Sequence, residues 1–354
     1  MKNIKYLFTI LLFLNFHALT YAQLEVTASD TPPFDAETIL ENYFFGNGVE
    51  VLNVSYNGAG VAVGFFNGEN SNIGIDRGIL MTSGEAADAV GPNTDADIFN
   101  NNNNLQGESD LEQLVPEFDV YDASVYEIQF IPFDTIVRLN YVWASEEYPE
   151  FAPPNNALYN DVFGLFISGP GINGPFSNNA ENIAYLPDGV TPVSINTINA
   201  VTNDIYYQSN VGGMTVEYDG FTVPLEASSI VVPCDTYNIK IAIGDTDDAI
   251  YDSAIFLAEG SFSTDAPLVN LNTLSSDSTI VEGCAGTAVK FVLRSSAEVD
   301  IPLDYNIWGT AQNGVDYSSV PLNAFIPAGE DSLTLFFNPI EDGLAEGPET
   351  ILLI

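Results

Sequence analysis

Along most of this chain apolar side chains recur at every second position, and that period leaves little choice but extended strands. Tyr126, Ile128 and Phe130 fall on one face; Val137, Leu139, Tyr141 and Trp143 fall on another. Tyr237, Ile239, Ile241 and Ile243 repeat the pattern. A helix would spread such residues around its circumference instead. Val162–Ile167 and Ala254–Ala258 are continuous apolar runs, as in strands covered on both faces. Clusters of Gly, Pro, Asn and Asp separate these segments at intervals suited to a sandwich. Helical signal is confined to two places. Asp35–Phe45 has an acid-rich first turn, apolar spacing at Ile39, Leu40 and Phe44, and Gly46 to stop it. Leu111–Leu114 suits one short turn. The expected fold class is all-β, mainly an antiparallel β-sandwich, with one or two short helices.

Residues 1–22 read as a secretory signal peptide. Lys2 and Lys5 precede the apolar run Tyr6–Phe16, and Thr20-Tyr21-Ala22 offers small residues at the cleavage positions. The run is shorter than the roughly 20 residues needed to span a bilayer, and no later stretch approaches that length. The expectation is an exported chain cleaved near Ala22, with no membrane span in the mature part.

Charge narrows the function further. Against 49 acids there are 7 cations, a net charge of −42; losing Lys2 and Lys5 leaves five cations and −44. Such a surface repels phosphate backbones, so nucleic acid is not an expected partner. The single histidine, His17, lies in the leader. The mature chain therefore lacks a Ser–His–Asp triad, a Cys–His pair and the usual zinc ligands. Only Cys234 and Cys284 remain. Two free thiols are expected of them, buried in the simplest reading; a bridge would need their Cα atoms within about 7 Å.

Gly91–Asp110, containing Asn100–Asn104, reads as a long exposed loop, because its amides cannot be buried without partners. A boundary falls near Ser263–Pro267. It divides the exported chain into residues 23–264 and 265–354. In the second unit alternation resumes at Val289, Phe291, Leu293, at Leu303, Tyr305, Ile307 and at Leu333, Leu335, Phe337. That unit is expected to be a smaller sandwich, truncated inside a strand at Ile354.

The motifs of the first unit are distinctive: Tyr141-Val-Trp-Ala-Ser-Glu-Glu-Tyr-Pro-Glu-Phe151, Tyr159-Asn-Asp-Val-Phe-Gly-Leu-Phe-Ile-Ser-Gly-Pro170, and Asn182-Ile-Ala-Tyr-Leu-Pro-Asp-Gly. Pro192–Asn199, Asp219–Leu225 and Val231–Asp245 follow, the last leading into Tyr251–Leu257. Together, from about Ala28 to Phe262, they closely resemble the choice-of-anchor L domain of bacterial surface proteins. The resemblance implies a large exported protein that ends in one of several alternative anchors, and implies no enzymatic activity. Residues 265–354 resemble a Calx-beta domain, through Val281-Glu-Gly283, Gly309–Tyr317, Ile326–Gly329 and Pro339–Thr350. That resemblance implies an immunoglobulin-like sandwich. It places Glu282, Asp316, Asp342, Glu346 and Glu349 on Ca²⁺-ligand positions, with Glu341 where some members carry a further acid.

Two acidic constellations carry candidate chemistry. Sandwich turns converge at one end, so the acids of the second unit suit a hard cation with oxygen ligands, hence Ca²⁺. In the first unit Asp245, Asp247, Asp248 and Asp252 lie between two strands. The spacing is not that of an EF-hand, since Ile250 and Phe256 replace the Gly and Glu of that loop. Glu146, Glu147 and Asp161 flank other core strands and suit the same end. A solvated acidic turn is the plainer reading of both groups.

The rival class is a secreted carbohydrate-active protein that binds glycans or hydrolyses them with paired carboxylates. Glu146 and Glu147 beside Tyr141 and Trp143 would form the edge of its cleft. Adjacent strand residues point to opposite faces, so at most one of the two glutamates could enter it. The reading from sequence is an exported, non-catalytic cell-surface protein, structural or adhesive and Ca²⁺-stabilised, with an extracellular protein or glycan as its unidentified ligand.

Overall fold

The computed structural model describes residues 23–29, 35–94, 105–155, 160–247, 250–272, 279–282, 284–293, 296–297, 299–341, 343 and 347–354. The leader, Asn100–Asn104, Asp248, Asp342 and Glu346 lie outside the described residues.

Two antiparallel sheets stack face to face, as the alternation requires. The larger runs in the order Glu25–Ala28, Val63–Asn67, Arg77–Thr82, Ser253–Ala258, Ile136–Ser145, Gly220–Thr222 and Tyr207–Ser209, with Leu225–Ile230 and Ser263–Thr264 also paired to Ile136–Ser145. The smaller runs Val49–Asn57, Val120–Pro132, Tyr237–Thr246, Val162–Ser168 and Glu181–Asn182. Registers such as Ile239↔Ile128 and Ile241↔Leu165 put same-facing apolar residues side by side.

The sequence faces meet between the sheets. Tyr126, Ile128, Phe130, Ile239, Ile241 and Ile243 from one sheet pack on Val137, Leu139, Tyr141 and Trp143 from the other. Trp143 lies flat on Phe163, with ring centroids 4.8 Å apart and planes at 17°. Both sheets are also covered outside. Leu80, Val142, Ala144 and Phe256 lie beneath Val216, Tyr218 and Phe221; Leu111 and Val115 lie on Val162, Phe166 and Ala242. Cover on both sides explains why Ala254–Ala258 and Val162–Ile167 are continuous apolar runs.

Both helices form. In Ala36–Tyr43 the Asp35 carboxylate caps the start, accepting from the Thr38 amide at 2.7 Å. The second, Ser109–Leu114, starts earlier than the apolar spacing indicates, because Glu108 accepts from the Asp110 and Leu111 amides. The C-terminal unit pairs Leu268–Asn272, Thr287–Val292 and Ser332–Phe337, with shorter pairings at Ile301–Pro302/Phe325–Ile326 and Ile307–Gly309/Ile351–Leu353. Val289, Phe291, Tyr305, Tyr317, Leu335 and Phe337 build its own core. Cys234 and Cys284 are free but exposed, which corrects the expectation of buried thiols: Cys234 sits in a turn with φ 64°, not in a core strand. No described helix is long and apolar enough to cross a membrane.

Candidate functional site

Five chain segments end together at one end of the sandwich, and each brings oxygen. Strand Arg77–Thr82 delivers Thr82 and Ser83; strand Ile136–Ser145 delivers Ser145, Glu146 and Glu147. Asp161 directly precedes strand Val162–Ser168, Asp245 is the penultimate residue of Tyr237–Thr246, and Asp252 directly precedes Ser253–Ala258. Register fixes their neighbours. Ala254 pairs with both Thr82 and Ala144, and Ser253 with Ser145. Gly244 pairs with Val162, so Asp245 and Asp161 fall at the next level of the same ladder. On its other side Tyr237–Thr246 slips against Val120–Pro132, from Ile243↔Ser124 to Asp245↔Tyr121. The extra residue lies on Val120–Pro132, so Tyr237–Thr246 keeps its alternation and Asp245 continues the inward face of Ile239, Ile241 and Ile243.

A hydrogen-bond lattice holds these residues. Ser253 Oγ donates to Asp161 Oδ2 at 2.7 Å, and the Thr246 amide to Asp161 Oδ1 at 3.1 Å. The Asp161 amide donates to Glu147 Oε2 at 3.0 Å, and the Glu147 amide to Ser145 Oγ at 3.0 Å. Ser83 Oγ accepts from the Ser253 amide, and Thr82 Oγ1 donates to the Ser253 carbonyl. Gly84 leaves room for the Asp252 carboxylate, whose Oδ2 would lie 1.8 Å from a Cβ at that position.

The end is buried and acidic. Glu146, Glu147, Asp161, Asp245 and Asp252 are each at most 2% exposed. Both carboxylate oxygens of Asp245 are buried without a hydrogen-bond partner. Burial, then the charges of Asp161 and Asp252, push its carboxyl well above the usual carboxylate range; the nearby Ser83 hydroxyl opposes the shift without reaching hydrogen-bonding geometry. Burial likewise pushes Tyr218 far up, with the Asp252, Glu146 and Asp88 charges adding to it. The ion pairs of Arg77, Arg138 and Lys240 go to Glu259, to Glu226 and Asp265, and to Glu108 and Asp110.

The fold sorts the sequence candidates. It gathers Asp245 and Asp252 with Asp161, Glu146 and Glu147, and turns Asp247 outward, its amide bonded to the Asp119 carbonyl. Glu282 and Glu349 are exposed. Asp316 is half-buried, and its Oδ2 accepts from the Gln312 amide at 2.6 Å. Among the described residues no group of three or more acids is placed to hold a metal ion, in either unit. Thr82, Ser83 and Gly84 were not singled out from sequence; the signal was a Thr-Ser-Gly stop directly after the apolar run Ile79–Met81. Asp219, also missed, forms a second acidic site. It is 4% exposed, accepts from Asn93 Nδ2 at 2.8 Å, and is pushed up to about 6 by burial, with Glu150 and Glu217 adding to the rise.

A two-layer antiparallel β module, sealed on both faces and acidic at one end, is the class this architecture defines. The chain belongs to the choice-of-anchor L family, whose sequence profile matches residues 27–263. The matched span contains all of both large sheets except Glu25, Val26 and Thr264, and every acid of the buried end. This is a family of cell-surface anchor domains and not a known enzyme family. No curated protein sequence matches the chain.

Proposed function

We propose that the protein is an exported, non-catalytic component of a bacterial cell surface, delivered by the leader at 1–22. Its role is structural or adhesive toward an extracellular protein or glycan. Family membership supports display at the surface. The non-catalytic reading is carried by the burial of Glu146 and Glu147, at 1% and 2% exposure, beside a Trp143 that is stacked inside the core. Glycoside hydrolysis needs two carboxyl groups flanking a bound sugar, and neither glutamate reaches a surface where a sugar could lie. Sheets covered on both sides favour a stiff spacer over a hinged or clefted machine. In the same reading residues 265–354 are a Calx-beta-like sandwich with its own core, extending the module.

Surface labelling of intact cells tests this. Antibody raised against the folded protein should stain unpermeabilised cells, and protease shaving should remove the stain while a cytoplasmic marker survives. The amino terminus of the shed protein should be Gln23. Confinement to the cytoplasmic fraction would overturn the reading.

A further inference from the structure

We propose that the buried end of the first sandwich is a Ca²⁺ site, with Asp245 as its central ligand and Asp161 and Asp252 as the flanking carboxylates. The inference goes beyond surface display and does not depend on it. It also differs from the ligand set suggested by the acidic loop alone, because Asp247 points to solvent.

The first observation is convergence. Three aspartates from three strand ends, in the order 161, 245 and 252, share one interior end of the sandwich with Ser83, Ser145 and Ser253. The second is independent of that grouping. Asp245 is 1% exposed, lies at the level of Asp161 in the ladder, and has two buried oxygens without a hydrogen bond. A buried carboxylate left in that state is costly unless protonated or met by a positive group. The cations Arg77, Arg138 and Lys240 are engaged with other acids.

The donors select the ion. All are oxygens, the chain outside its leader has no histidine, and both cysteines are exposed elsewhere. Ca²⁺ accepts six to eight oxygens in irregular geometry, whereas Mg²⁺ demands a near-octahedral shell and gives up water reluctantly. Among the described residues no three acids are placed to hold a metal ion as they stand, so binding requires these carboxylates to turn toward one another. That movement falls most easily to Asp245, whose side chain has no hydrogen bond to surrender. Asp161 is already oriented by Ser253 and the Thr246 amide, and Asp252 is pressed against Gly84.

The experiment uses the whole purified protein, treated with chelator and titrated with Ca²⁺ or with Mg²⁺ at equal ionic strength. Bound metal is counted by mass spectrometry and binding is followed by calorimetry and melting. The expected result is saturable Ca²⁺ binding with a melting shift that Mg²⁺ does not reproduce. Asp245→Asn should fold, since the amide matches the neutral carboxyl in size and shape, and should bind Ca²⁺ at least tenfold more weakly. Asp252→Asn serves as a second variant should the first not fold. Asp247→Asn, on the surface, should leave binding unchanged. Absence of a Ca²⁺-specific shift in the unsubstituted protein overturns the proposal. So does a shift that survives Asp245→Asn and Asp252→Asn but disappears with Asp316→Ala, which would place the ion in the C-terminal unit.

Discussion

Lys240 Nζ lies 2.7 Å from Asp110 Oδ2, across the contact between helix Ser109–Leu114 and strand Tyr237–Thr246. Glu108 Oε1 approaches the same ammonium at 2.6 Å, and the Phe166 ring lies beneath it, 5.8 Å from Nζ to centroid. Burial alone would raise the Asp110 carboxyl. Lys240 and the Ser177 amide and hydroxyl outweigh it and hold the group below its usual range. The one cation on this strand thus clamps a six-residue helix that could not stand alone.

Lys240→Met should therefore destabilise the protein by about 2–3 kcal/mol. Removing one partner of a buried pair costs more than the pair contributes, because the acids left behind are uncompensated; partial exposure of Lys240 moderates the loss. Denaturant unfolding checks the value. Adding Asp110→Asn to Lys240→Met should recover part of it, and a double variant as unstable as the sum of the singles would refute the coupling. The clamp also has a sign with pH. A depressed carboxyl contributes stability above its unfolded pKa and loses it as pH falls through the folded one, so the cost of Lys240→Met should shrink in acid.

Asp219 should show the opposite trend. Its carboxyl, at about 6, binds its proton more tightly when folded than the ordinary value of 3.8 allows. Stability from this group is full below about pH 4 and declines as pH rises through 6. Burial sets it first; the hydrogen bond from Asn93 opposes the rise, and the charges of Glu150 and Glu217 add to it. Asp219→Asn should stabilise the protein at pH 7 by roughly 1–2 kcal/mol. The gain should vanish below pH 4. A gain that is constant across pH would mean that packing, not charge, is responsible.

These pairs show where sequence reading reaches and where it stops. The strands were legible because Tyr126, Ile128 and Phe130 must bury one face, and period two allows a single way to do it. The acidic end was half legible. Linear clustering of Asp245–Asp252 marks the right turn, but nothing local in the sequence distinguishes Asp245 from Asp247. The fold separates them. Asp245 keeps the inward phase of Ile241 and Ile243, Asp247 lies past the end of the strand, and Asp161 arrives from a segment 84 positions earlier in the chain. Such convergence is tertiary and leaves no local periodicity. Glu108 was invisible for another reason: a carboxylate that caps a helix looks like any other acid of a polar stretch.

Gly84→Ala should cost about 1–3 kcal/mol, the usual penalty of forcing extra volume into a packed interior. Its Cβ would meet Asp252 at three side-chain atoms, the nearest 1.8 Å away. Since a carboxylate can swing where backbone cannot, the damage should fall on the position of Asp252 as well as on stability. Amide exchange would separate the two effects. Faster exchange confined to Ser83, Glu146 and Ser253 marks local displacement; uniform acceleration marks global loss.

Tyr126→Phe tests the joint between the first helix and the smaller sheet. Tyr126 OH donates to the Ala36 carbonyl at 2.6 Å, and both residues are buried. Burial, with the Tyr56 phenol and the Glu37 and Asp35 charges adding, drives the phenol far above its usual range, so it remains a donor at any pH the fold survives. The ring itself is held by Tyr56, at 4.9 Å between centroids, and keeps its packing when the hydroxyl is removed. The loss is therefore one hydrogen bond, about 1–1.5 kcal/mol. The Ala36 carbonyl belongs to the first turn of the helix and retains its place in the helical ladder, which caps the penalty. Equilibrium unfolding of Tyr126→Phe should show that loss with an unchanged denaturant slope. A cost beyond about 3 kcal/mol would mean that this hydroxyl orients the helix, rather than adding one bond to a helix placed by Ile39 and Leu40.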